Sequence, residues 1–91
     1  MLCLVSYDVT GDGNRRRVME CLKDYGRRVQ YSVFECNLGE DELKQMWRRL
    51  APEIDPAHDS VRLYGLCKDC EQRVAILGRG DVYGEQEVVI I

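Results

Sequence analysis

Asp8 closes the apolar run Leu2 to Tyr7, and it is followed by the loop Gly11-Asp12-Gly13 and three consecutive arginines, Arg15, Arg16 and Arg17. A carboxylate at the end of an otherwise apolar strand must be solvated, paired or bound to a cation. Adjacent guanidinium groups suit phosphate, whose oxygens they bind through planar, forked donors. Together these features could support metal-assisted cleavage of a phosphodiester, with Asp8 on the cation and arginines on the backbone. One carboxylate does not make a magnesium site, and no second acid is fixed beside Asp8 except Asp12. Two copies of Asp8 converging on a two-fold axis would supply the least that such chemistry needs. The plainer alternatives are a turn-initiating aspartate bonded to nearby backbone, and a solvated helix face.

Other chemistries fail on composition. Asp8-Val9-Thr10-Gly11-Asp12-Gly13 imitates the first half of a calcium loop, but the position that needs a bidentate glutamate holds Met19, and a strand precedes the loop where a helix should. The loop also lacks both common phosphate-cradling glycine patterns. His58 is the sole histidine and lies near prolines, so no Ser-His-Asp or Cys-His set is available, and any hydrolysis must depend on a metal. Of the five cysteines, Cys3, Cys21 and Cys36 sit inside apolar patterns as reduced core residues. Cys67 and Cys70 have ligand-like spacing, yet they are two ligands where structural zinc needs four. They read as a short turn or helix start with two thiols, or as half a zinc site completed by a symmetric partner.

The elements that must position these residues follow from periodicity. Leu2 to Tyr7 reads as a central strand buried on both faces. Asn14 can cap a helix with apolar positions Val18, Cys21, Leu22 and Tyr25, which Gly26 is placed to end. Three arginines in its first turn oppose the helix dipole, which suggests an anionic partner opposite them. Arg27 to Leu38 changes its alternation phase near Tyr31-Ser32-Val33, as a hairpin with a turn or bulge there. A second helix opens at Glu40-Asp41-Glu42, carries a stripe of Leu43, Met46, Trp47 and Leu50, and stops before Pro52 and Pro56. Ser60 to Leu66, Arg73 to Leu77 and Glu87 to Ile91 read as three further strands. The order is α+β, a ferredoxin-like βαββαβ core over residues 1–78 with a C-terminal strand extension over 79–91. One sheet face is left bare, a natural homodimer interface, and the apolar terminal strand is expected to pair with a neighbouring sheet, in its own or the partner chain.

At 91 residues the chain is one domain with room for a single core. No apolar run approaches the roughly 20 residues needed to cross a bilayer, and the start is too short for a signal segment, so a cytoplasmic, unprocessed protein is expected. The net charge of −3 argues against a generally basic nucleic-acid binder. Its distribution is uneven: residues 1–34 carry +2 and the remainder −5. A phosphate-binding surface must therefore draw on the first third, chiefly Arg15, Arg16, Arg17, Arg27 and Arg28. With no recognition helix evident, sequence specificity should be low.

Four stretches in this order resemble the small CRISPR-associated "Cas-two" family: Ser6-Tyr7-Asp8, the arginine-led helix, the hairpin Arg28-Val29-Gln30-Tyr31-Ser32-Val33-Phe34-Glu35, and Asp59-Ser60-Val61-Arg62-Leu63-Tyr64. The resemblance runs from Met1 to about Gly78. It implies a homodimer that works with the CRISPR-associated integrase in spacer acquisition and supports incoming DNA. Some relatives look like magnesium-dependent nucleases on single-stranded RNA or duplex DNA, with the strand-end aspartate, here Asp8, as metal ligand. Tyr7, Arg15, Arg28 and Phe34 match positions linked to activity or phosphate contact, and Arg16 or Arg17 can take the place of Arg15. Two alternatives stand beside this reading. One is a non-enzymatic dimeric adaptor between integrase and DNA; the other is a small-molecule-sensing regulatory domain.

Overall fold

The computed structural model describes residues 1–80 and the backbone of Val89–Ile90. Strand β1 (Leu2–Asp8) is flanked on both sides and lies centrally in a four-stranded antiparallel sheet of order β2-β3-β1-β4. Alternation along β1 places Cys3, Val5 and Tyr7, and then Val9, under the helices, all buried. On the opposite face Leu2 is buried, but Leu4 and Ser6 are only half-buried and Asp8 is exposed, so the expected burial on both faces gives way to one packed face and one face that opens beyond Leu2.

Helix α1 (Asp12–Lys23) begins two residues before the expected cap. Gly11 is its N-cap, and Asn14 instead donates from Nδ2 to the Glu53 carbonyl at 3.0 Å. The first turn therefore carries Asp12, the charge the dipole favours there, and the arginines start at the fourth position. This removes most of the expected conflict between the arginines and the helix dipole. Val18, Cys21 and Leu22 face the core.

Gly26 does not end α1; it opens β2 (Gly26–Gln30). Its φ is not positive, and close approach is what demands glycine: a Cβ would lie 2.2 Å from the Glu35 carbonyl oxygen and 2.5 Å from Cys36 Sγ. A turn at Tyr31-Ser32 leads to β3 (Val33–Asn37), and the β2–β3 register shifts between Arg28 and Gln30. Both the turn and the irregularity occur where the phase change places them.

Helix α2 (Glu40–Leu50) starts with three acids and ends with Arg48 and Arg49, as expected. The Glu42 carboxylate accepts from the Gly39 N–H at 3.2 Å, satisfying one donor at that end. Arg49 reaches Asp24 at 2.9 Å and lies 5.3 Å over the Tyr25 ring, joining the two helices. A single 3₁₀ turn (Ala51–Glu53) leads towards β4 (Ser60–Leu66), which pairs with β1 from Leu2↔Leu66 to Asp8↔Ser60. The core is one cluster containing Val5, Val18, Leu22, Phe34 and Met46, each fully buried. Burial of each of the larger side chains is worth about 1.5–3 kcal/mol.

A short helix α3 (Lys68–Glu71) follows β4, and Glu71 Oε1 accepts the Leu2 N–H at 2.7 Å. The expected fifth strand shrinks to β5 (Ala75–Ile76), which pairs in parallel with β6 (Val89–Ile90) as a separate two-stranded sheet. Glu87, Val88 and Ile91 of the expected terminal strand lie outside the described residues. The chain is thus a ferredoxin-like α+β domain, with β3 inserted between the parallel strands of a split βαβ unit.

Candidate nucleic-acid interface

The site is built around the C-terminal end of β1, where neighbouring residues point to opposite faces of the sheet. Tyr7 turns toward the helices. Its ring packs against Phe34 with centroids 6.4 Å apart, and its hydroxyl donates to the Tyr31 carbonyl at 3.4 Å. Asp8 falls on the open face, and no hydrogen bond or ion pair of its exposed carboxylate occurs among the described residues. The turn-initiating alternative does not describe it.

Beside Tyr7 lies a cup of about 360 Å³ lined by Tyr7, Asp12, Arg15, Arg16, Met19, Arg28 and Tyr31. Arg28 is held by what surrounds it. Its guanidinium lies 5.4 Å from the Tyr31 ring centroid and 6.0 Å from that of Phe34, and Nη2 reaches Met19 Sδ at 3.1 Å. A thioether is a weak acceptor, so most donors of Arg28 remain available to phosphate. Arg16 is exposed and makes no ion pair among the described residues. Arg15 is already engaged: it pairs with Asp12 and donates from Nη1 to the Val9 carbonyl at 3.3 Å, bracing the loop after Asp8. With three arginines and one aspartate the cup carries a formal +2, enough to attract a phosphate.

The remaining candidates are placed elsewhere. Arg17 pairs with Glu53, outside the cup. Arg27 lies opposite Glu35 in register on the open face. Phe34 is fully buried, so it meets no nucleic acid directly and acts only by supporting Arg28 and Tyr7. The cup thus unites Tyr7, Arg15, Arg16 and Arg28 but not Asp8. A second, larger groove of about 780 Å³ runs beside the edge strand β4 and is lined mainly by Leu43, Trp47, Val61, Leu63 and Tyr64. None of the candidate residues lies in it.

Asp59 has a role the motif reading does not assign. It accepts from Thr10 N at 2.9 Å, Thr10 Oγ1 at 3.0 Å and Asp55 N at 2.9 Å, fastening the loop after Asp8 to the segment before β4. The Thr10 N–H, aided by that of Asp55, holds its carboxyl below the usual carboxylate range. Antiparallel pairing of Asp8 with Ser60 carries the signal for it, because residues just after β1 must then meet residues just before β4.

The family model described as CRISPR associated protein Cas2 matches residues 1–74. The chain belongs to the Cas2 family. It is 45% identical over 80 residues to CRISPR-associated endoribonuclease Cas2 3 of Chloroflexus aurantiacus, covering 88% of this chain and 86% of that one. To the CRISPR-associated endoribonuclease Cas2 of Nitratidesulfovibrio vulgaris it is 35% identical, covering 100% and 94%. The crystal structure of Streptococcus pyogenes Cas2 superposes with a TM-score of 0.74 at 42% identity, covering 86% of this chain and all of the other. A chain solved in a partial Cas6-RT-Cas1–Cas2 complex superposes at 0.62 with 27% identity, covering 80% and 86%. The family match over residues 1–74 spans the four-stranded sheet and both long helices, the elements that form the strand end and its cup.

Proposed function

We propose that this Cas2-family chain acts as a homodimer that binds nucleic acid in CRISPR adaptation, together with the CRISPR-associated integrase. We infer in addition a magnesium-dependent nuclease centre for RNA or double-stranded DNA at paired Asp8 carboxylates. The observation that carries this reading is the strand end itself, where an exposed, unpartnered Asp8 and a basic cup flank the same two residues of β1. The integrase partnership is supported by the likeness to a chain solved in a Cas1-containing complex. The homodimer is supported by the open sheet face, where Leu4, Val33 and Tyr64 are only part-covered, and by the groove along β4, whose outer edge is unpaired among the described residues.

The donor set fits magnesium as a half-site. That ion takes hard oxygen ligands, keeps several waters and is commonly held by one or two carboxylates. Among the described residues no group of three potential ligands occurs within the chain, so Asp8 needs its counterpart from a second copy. Bound magnesium would supply Lewis-acid polarisation of the scissile phosphate. Arg16 and Arg28 hold phosphate oxygens in the cup, and Tyr7 shapes its floor and anchors the hairpin turn through Tyr31. Arg15 and Asp59 fix the loop that follows Asp8.

The adaptor reading, binding without cleavage, is favoured by one observation: Asp8 and the cup lie on opposite faces, so a single phosphodiester must wrap around the sheet end to use both. Purified protein incubated with RNA and with duplex DNA, in magnesium and in chelator, separates the two. Under the nuclease reading, Asp8→Ala lowers cleavage at least about 10²-fold and leaves duplex binding unchanged. Magnesium-independent cleavage, or cleavage that survives Asp8→Ala, removes the nuclease centre, and salt-sensitive binding without cleavage leaves the adaptor. Absence of salt-sensitive binding removes both in favour of a small-molecule regulatory domain.

A further inference from the structure

The Cys67-Lys68-Asp69-Cys70 turn lies apart from the strand-end cup. Its two thiols are exposed, whereas Cys3, Cys21 and Cys36 are buried, and all five are free. Cys67 caps α3 and its Sγ accepts the Cys70 N–H at 3.4 Å, so the turn folds the first sulfur back over the second residue. Residues three apart in the first turn of a helix have Cα atoms about 5–6 Å apart, inside the range a disulfide spans. Glu71 anchors this turn to β1 through the Leu2 N–H, which fixes its geometry in the reduced state.

We propose that Cys67 and Cys70 form a redox-active dithiol that exchanges with low-molecular-weight disulfides and closes to an intramolecular disulfide. In the first step the Cys67 thiolate attacks one sulfur of the external disulfide; a mixed disulfide forms and one thiolate leaves. In the second, Cys70 gives up its proton and attacks Cys67 Sγ, breaking the mixed disulfide and releasing the second thiolate. The protein loses two electrons and two protons, and the external disulfide is reduced to two thiols. The order of attack follows from the surroundings: the Cys70 N–H and thiol pull the Cys67 thiol below its ordinary value, while the Cys67 partner pushes Cys70 up.

The test uses the full chain, with a metal chelator present, in mixtures of oxidised and reduced glutathione. Samples are quenched in acid, denatured, alkylated and weighed by intact and peptide mass spectrometry. The wild type should lose two of its five alkylatable thiols as a monomeric species two hydrogens lighter, with the bond in the peptide that holds Cys67 and Cys70. Cys70→Ser should stop at one glutathionyl group on Cys67, and Cys67→Ser should react at Cys70 at least tenfold more slowly. Serine keeps an acceptor at the helix cap, and unchanged circular dichroism and Tm confirm folding of both variants. Two glutathionyl groups on the wild type, cross-linked chains in place of the internal bond, or equal rates for the two serine variants would overturn the proposal.

Discussion

Arg16 and Arg28 offer unspent donors to the cup, whereas Arg15 is occupied by Asp12 and the Val9 carbonyl and Arg17 by Glu53. Three neighbouring arginines are therefore not equivalent. Arg28→Ala or Arg16→Ala should weaken duplex binding alike for every sequence, and each should reduce the slope of log affinity against log salt by about 1. Arg17→Ala should leave that slope nearly unchanged. Fluorescence anisotropy across a salt series reads all three. Asp59 gives a pH prediction. Its folded pKa lies below the ordinary 3.8, so its contribution to stability is complete above that value and is lost as pH falls through the lower folded value. Asp59→Asn should lower Tm near neutrality, and the gap from wild type should narrow as pH falls below 3.8 and the wild-type carboxyl protonates. A gap that stays constant over that range would show that the charge on Asp59 does not matter.

At the element scale, the β2–β3 hairpin aims Arg28, and its closeness depends on Gly26. Gly26→Ala forces a methyl against the Glu35 carbonyl and Cys36 Sγ, and should cost at least about 1–3 kcal/mol. In a domain of this size each kcal/mol lowers Tm by about 4–8 °C, which differential scanning calorimetry resolves. The hairpin, both long helices, the central strand and the α+β order are legible in the sequence because alternation and helical spacing are strong there. Gly26 is placed correctly as a boundary, but its reason is not legible: a glycine that ends a helix and one that admits a neighbouring strand look alike in one dimension. Asn14 has a cap-like identity too, yet Gly11 takes the position, since α1 can begin as soon as β1 has turned and Asn14 is better used on Glu53. Tyr7 and Asp8 read naturally as one site from adjacency, whereas the pleat of β1 separates them. Phe34 resembles a surface aromatic by motif but is the largest fully buried side chain among the described residues, because β3 lies inside the sheet.

Among its described residues the whole molecule presents one packed face, one open face and an unpaired edge at β4. If the open face carries the two-fold contact, Tyr64→Asp, which places a charge on a half-exposed aromatic there, should convert the dimer to monomer in sedimentation velocity and remove magnesium-dependent cleavage. It should leave the fold and the cup intact, since Tyr64 belongs to neither the core cluster nor the cup. A dimer that survives would place the contact elsewhere. The solitary position of Asp8 carries a consequence for descent as well as for chemistry. A side chain that holds no neighbour can be exchanged at little cost to folding, while Tyr7, one step earlier, cannot. On the proposed reading, lineages sharing this fold are free to discard cutting while they keep gripping.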